Sequence, residues 1–125
     1  MALDGDTALI GAYGDDDERQ RTGAAYIFSY DETNGWTHTT KLTASDGATE
    51  DYFGHAVVLD GTTALIGADG DSDKGFRSGS AYIFTTNGIT WTEKDKLTAS
   101  DGAEGDFFGR SVALSGYTVL IGAPY

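Results

Sequence analysis

The chain has 125 residues, with 20 acidic against 8 basic side chains and a formal charge of −12. That balance disfavours nucleic acid and anionic membranes, which are held by clustered Lys and Arg, and the absence of cysteine excludes disulfides and thiolate metal sites. Hydrophobic residues at 39%, 18 glycines and one proline describe a folded chain of short strands and tight turns.

In chain order, the first pattern is Asp4-Gly5-Asp6-Thr7-Ala8-Leu9-Ile10-Gly11-Ala12. It returns as Asp60-Gly61-Thr62-Thr63-Ala64-Leu65-Ile66-Gly67-Ala68 and again as Ser115-Gly116-Tyr117-Thr118-Val119-Leu120-Ile121-Gly122-Ala123. The steps are 56 residues (4 to 60) and 55 residues (60 to 115). Ala25-Tyr26-Ile27-Phe28 recurs as Ala81-Tyr82-Ile83-Phe84, Leu42–Ala48 as Leu97–Ala103, and Asp51-Tyr52-Phe53-Gly54 as Asp106-Phe107-Phe108-Gly109. A fixed period of this size marks a repeat architecture.

The second copy gives the elements of one unit. Ala56–Leu59 is an aliphatic run, Asp60-Gly61 a hairpin turn pair, and Thr63–Ile66 a second strand. A polar loop spans about Asp69 to Gly79. Ser80–Phe84 is a third strand, Asn87-Gly88 a turn, and Thr90–Ala99 a fourth. No segment has helical apolar spacing. The first three strands are nearly continuous apolar runs, as expected of strands buried on both faces. The fourth alternates, with Trp91, Glu93, Asp95 and Leu97 on one face and Thr92, Lys94 and Lys96 on the other, as expected of an outermost strand. A four-stranded sheet packed between copies of itself is a β-propeller blade. The expected fold is therefore all-β: a first blade over 1–50, a second over 51–105 and a half blade over 106–125, two and a half blades in all.

Phe53-Gly54 and Phe108-Gly109, with Gly122-Ala123-Pro124, resemble the FG-GAP repeats of integrin α-subunit propellers, and the resemblance covers essentially the whole chain. It implies antiparallel blades, a non-catalytic scaffold or adhesion module offering repeated loops to a protein or glycan partner, and an extracellular or cell-surface setting. No signal peptide is visible after Met1, and no apolar run reaches the roughly 18 residues that span a bilayer. A propeller needs about four to eight blades. Either the chain closes a ring with copies of itself or it is a piece of a longer repeat protein.

Asp69-Gly70-Asp71-Ser72-Asp73 places carboxylates at alternate positions before Gly75, as in the opening of a calcium loop. Asp69, Asp71 and Asp73 are candidate calcium ligands, with Asp15 and Asp17 their counterparts in the first copy; the alternative is a solvated acidic loop. The integrin calcium loop joins the first two strands of a blade, and here that hairpin, Leu59-Asp60-Gly61-Thr62, is too short to wrap an ion. Asp46, Asp51, Asp101 and Asp106 read as turn residues capping nearby backbone N–H groups. Trp36 and Trp91, and Tyr26 and Tyr82, occupy equivalent positions that either stack on sugars or pack blade against blade. Phe53 and Phe108 read as core anchors at blade junctions. The two histidines, His38 and His55, fall at unrelated repeat positions, replaced by Glu93 and Arg110 in the next copy, and no catalytic motif accompanies them. No enzymatic activity is expected.

Overall fold

The computed structural model describes residues 1–15 and 20–124. Its strands are β1 (Ala2–Asp4), β2 (Thr7–Ala12), β3 (Ala24–Asp31), β4 (Gly35–Leu42), β5 (Ala56–Asp60), β6 (Thr63–Ala68), β7 (Ser80–Thr86), β8 (Trp91–Leu97), β9 (Ser111–Ser115) and β10 (Thr118–Gly122). They form two four-stranded antiparallel sheets, β1-β2-β3-β4 and β5-β6-β7-β8, and a hairpin, β9-β10. Among the described residues there is no helix.

The hairpins follow from their turn residues. Asp4 pairs with Thr7, Asp60 with Thr63 and Ser115 with Thr118, which leaves two-residue loops led by Gly5, Gly61 and Gly116 at φ of 57°, 58° and 56°. Loops of that length require positive φ, which glycine adopts without a Cβ clash. The first two hairpins are each also tied to the one that follows. Asp4 Oδ2 accepts from the Gly61 N–H at 2.6 Å, and Asp60 Oδ2 accepts from the Gly116 N–H at 3.0 Å.

The core lies between the sheets. One face of the first sheet contributes Leu9, Ala25, Ile27 and Leu42, and the facing side of the second contributes Leu59, Ala64, Ile66, Tyr82 and Phe84, all buried. Trp91 packs at the margin of this cluster. The opposite side of the second sheet, with Leu65 and Ala81, is buried where β9 packs on β5 and β6. The first three strands are apolar throughout because both faces of an inner sheet meet another sheet.

The Phe-Gly pairs hold the junctions. Phe53 is fully buried, with its ring centroid 5.3 Å from Tyr82 and 5.9 Å from Phe84. Gly54 (φ 95°) carries the linker over the end of the first sheet, where a Cβ on Gly54 would fall on the Ala24 carbonyl oxygen and one on Gly11 on the Gly54 carbonyl oxygen. The Gly54 N–H then donates to the Gly67 carbonyl at 3.0 Å, and Gly109 does the same to Gly122 at 3.0 Å. Both glycine words of the repeat are one crossing point seen from its two sides.

One expectation is corrected. The fourth strand does not alternate strictly, because a β-bulge interrupts it. Phe84 pairs with Glu93 but Ile83 with Asp95, so Lys94 is an extra residue; Thr39 plays the same part between Phe28↔His38 and Ile27↔Thr40. A bulge shifts every later side chain to the other face. Lys96, paired with Tyr82, therefore shares a face with Trp91 and Glu93, while Asp95 and Leu97 turn away.

Candidate functional site at the loop rim

The bulge brings Lys96 into the acidic loop. Its Nζ lies 2.8 Å from Asp71 Oδ2, 2.5 Å from Asp46 Oδ2 and 2.5 Å from Asp73 Oδ2, and 5.3 Å from the centroid of the Tyr82 ring. Asp71 is buried and further satisfied: Ser80 Oγ donates to it at 2.8 Å, the Asp73 N–H at 2.8 Å and the Tyr82 hydroxyl at 3.3 Å. The Tyr82 hydroxyl also donates to Asp46 at 2.7 Å. Burial pulls the Lys96 ammonium down, but its bonds to the three carboxylates hold it above the ordinary lysine range. Burial pushes Asp46 up, and the Lys96 and Tyr82 bonds outweigh it and hold its carboxyl below the ordinary value. Burial and the bond to Asp46 raise the Tyr82 phenol. The first copy repeats the motif: the Tyr26 hydroxyl donates to Asp15 at 2.7 Å, and Lys41 Nζ lies 3.4 Å from the same carboxylate.

Of the residues expected to hold calcium, Asp71 and Asp73 converge. Asp69 points elsewhere, toward His55 and Arg110. Asp15, in the connection after β2, meets Tyr26 and Lys41 instead, and Asp17 lies outside the described residues. Asp46 joins the cluster instead, its carboxylate crossing to the second sheet rather than only capping its own turn. Asp51 and Asp106 do cap their turns, each accepting from a backbone N–H three residues earlier at 2.9 Å. One carboxylate oxygen from each of Asp46, Asp71 and Asp73 lies within 4.8 Å of the others. That donor set suits one compact cation, and the Lys96 ammonium supplies it from within the chain. Calcium takes six to eight oxygens and fits these carboxylates only once Lys96 has left them.

A second cluster lies at the same rim, where the β2–β3 and β6–β7 connections run beside the linkers between sheets. The N–H groups of Tyr52 and Phe53 donate to the carbonyls of Arg21 and Thr22 at 3.1 and 3.0 Å; those of Phe107 and Phe108 donate to Arg77 and Ser78 at 3.0 and 2.9 Å. This pairing holds Arg21, Tyr52, Arg77 and Phe107 in the left-handed region, at φ of 54°, 57°, 56° and 54°. Side chains rarely adopt that conformation unless the surroundings impose it. All four residues line a single cleft of about 420 Å³.

Three of the chain's four arginines line this cleft, Arg21, Arg77 and Arg110. The Arg77 guanidinium lies 5.9 Å from the Tyr52 ring centroid and that of Arg110 5.5 Å from the Phe107 centroid. Tyr13 sets its edge against His55 at 4.9 Å. Asp69, also a lining residue, is buried with Oδ2 at 3.1 Å from His55 Nδ1, outside hydrogen-bond alignment, and 3.8 Å from Arg110 Nε. Glu50 reaches Arg77 Nη2 at 3.4 Å from beside the cleft. Nothing in the sequence reading pointed to this cleft, although Arg21 and Arg77, and Tyr52 and Phe107, are repeat equivalents.

Trp91 packs between sheets, as one of its two readings required, whereas Trp36 is 48% exposed on the outer face of the first sheet, its ring tilted 53° to that of Tyr30 at 5.4 Å. Among the described residues no helix is long and apolar enough to cross a membrane.

The fold is that of a repeat protein of four-stranded antiparallel blades joined by Phe-Gly crossings. The family model of the FG-GAP repeat matches residues 1–28, 36–84 and 91–125. The chain belongs to the FG-GAP repeat family. Repeats of this family are typical of extracellular domains. Among curated proteins the chain finds no match.

Proposed function

We propose that the chain is a non-catalytic β-propeller module, at the cell surface or outside the cell, which binds a glycan or protein partner through its loop rim. The observation that carries this reading is the convergence of loops from successive repeats on one cleft. A surface assembled from equivalent loops engages repeated ligands with avidity.

Ring closure by further copies of the chain is part of the reading, and two uncovered faces support it. On the first sheet Met1, Leu3, Ile10, Phe28 and Trp36 line an apolar hollow, with Met1, Leu3 and Trp36 at 84%, 62% and 48% exposure. Their equivalents in the second sheet, Val57, Leu59, Ile66, Phe84 and Trp91, are covered by the preceding sheet through Leu9 and Ile27. The covering kind of face is itself uncovered on the terminal hairpin, where Leu120, the counterpart of Leu9, is 73% exposed. Apolar surface left in water costs about 25 cal/mol per Å², so the two faces complement each other. Sedimentation of the chain, with Leu120→Asp and Trp36→Asp as variants, tests this. A mass of several chains that falls to one in either variant is expected; a wild-type mass of one chain with a cooperative, concentration-independent melt overturns it.

A calcium-dependent module is the second reading. It has the closeness of Asp46, Asp71 and Asp73 in its favour. Calcium must displace Lys96 to enter, and a calcium-dependent rise in the wild-type melting temperature would select this reading over the first.

A further inference from the structure

We propose that the cleft between the two arginine–aromatic pairs binds the carboxylate of an acidic sugar, a single uronate seated among Tyr13, Tyr52 and Phe107. The proposal rests on the reading that the rim is the ligand surface, and it adds the ligand's chemistry. In a chain of charge −12, three guanidiniums and His55 meet at one cavity whose lining, among the described residues, holds one carboxylate, Asp69, with Glu50 reaching Arg77 from beside it. A planar guanidinium presents paired donors that match a carboxylate's two oxygens. Two of the three lie over aromatic rings, Arg77 at 5.1 Å from Phe76 and 5.9 Å from Tyr52, and Arg110 at 5.5 Å from Phe107. Arg77 Nε is buried with no hydrogen-bond partner among the described residues. A buried donor of that kind calls for an acceptor.

Backbone conformation marks the same place. Four of the five described non-glycine residues with positive φ line the cleft, and such strain gathers at binding sites. At about 420 Å³ the cleft has the size of a small-molecule site, and its mixture of rings and cations suits a pyranose with one charge. The net charge decides against a polyanion. Repulsion from the remaining acidic surface accumulates along a polymer of phosphates or sulfates, whereas one carboxylate held within the cleft meets its cations at contact and the distant charges through about 8–10 Å of screening.

Titration calorimetry and amide chemical-shift mapping with D-galacturonate, its methyl ester and D-galactose test the proposal. Galacturonate should shift the amides of Arg21, Tyr52, Arg77 and Phe107, and the ester, which keeps the ring but loses the charge, should bind roughly tenfold more weakly. Arg110→Gln should weaken galacturonate by a similar factor, while Lys94→Gln, the same charge change on exposed β8, should leave binding unaltered. Equal binding of acid and ester, equal damage from Lys94→Gln, no binding of galacturonate, or tighter binding of an acidic tripeptide each overturns the uronate site. Galactose shifting the same amides as well as the acid does would remove the carboxylate yet leave the rim as the ligand surface; shifts confined to the Trp36 face would remove both.

Discussion

Lys96 is the cation around which the acidic loop is folded, and replacing it with methionine measures what that arrangement contributes. Two of its three partners, Asp46 and Asp73, have side chains 45% and 59% exposed, so each pair is worth only about 0.2–1 kcal/mol. Asp71 is different, with a side chain 3% exposed. Removing the partner of a buried charge costs about 3–5 kcal/mol, but the Ser80, Tyr82 and Asp73 donors remain, and Lys96 itself is 19% exposed. Both facts place the loss below that range, at about 2–3 kcal/mol out of a total of roughly 5–15. Urea unfolding followed by tryptophan fluorescence at pH 7 reads this directly. The sign with pH follows from the shifts. Lys96 is raised in the fold, so its contribution is present at neutral pH and is lost only above the ordinary lysine range. Asp46 is lowered, so its contribution is lost as pH falls through its depressed value. The difference between wild type and Lys96→Met therefore shrinks toward pH 3. Millimolar calcium should restore part of the variant's stability, through the carboxylates that Lys96 vacates, and leave the wild type unchanged. A variant within 0.5 kcal/mol of wild type at pH 7, or a difference constant from pH 7 to 3, would refute the argument.

Phe53→Ala should cost about 3–5 kcal/mol, since it empties a fully buried ring site between sheets, and Phe108→Ala clearly less, because its repeat position is only half-buried; equal losses in dilute monomer would contradict the packing described. Gly54→Ala should prevent stable folding, its Cβ meeting the Ala24 carbonyl at φ 95°, which circular dichroism of the purified variant would reveal. Burial, aided by the Asp71 charge, raises the Asp51 carboxyl to about 6. Its favourable contribution is complete below the unfolded value near 3.8 and lost as pH rises through 6. Asp51→Asn should accordingly gain on the wild type between pH 4 and 7 in urea melts, and a flat difference would speak against the assignment.

The strands were legible because three signals agree at each hairpin: an Asp-Gly or Ser-Gly turn, flanking aliphatic runs and recurrence at the repeat step. The faces of the fourth strand were not. Thr39 and Lys94 sit inside an unbroken alternation, and only pairing against β3 and β7 reveals that each is surplus. That single residue moved Lys96 from the face of Thr92 and Lys94 to that of Trp91 and Glu93, beside the acidic loop, so the acidic loop was found and its cation was missed. The arginine cleft was hidden for another reason. Its members are 21, 77 and 110 in sequence and meet only through the parallel pairing of loop and linker, although Arg-Thr-Gly and Arg-Ser-Gly before Ala24 and Ser80 did repeat. A charge that recurs at a fixed step inside an otherwise acidic chain was the available signal.

The carboxylate that Asp4 extends to Gly61, repeated from Asp60 to Gly116, gives the array a direction. The first turn grips the second and the second grips the third, like tongue and groove. Two copies related by a twofold axis lying across the array would set grip against grip and leave both unengaged. Any assembly that extends this latch must add units in a single sense, and it then either curves until its ends meet or grows without limit.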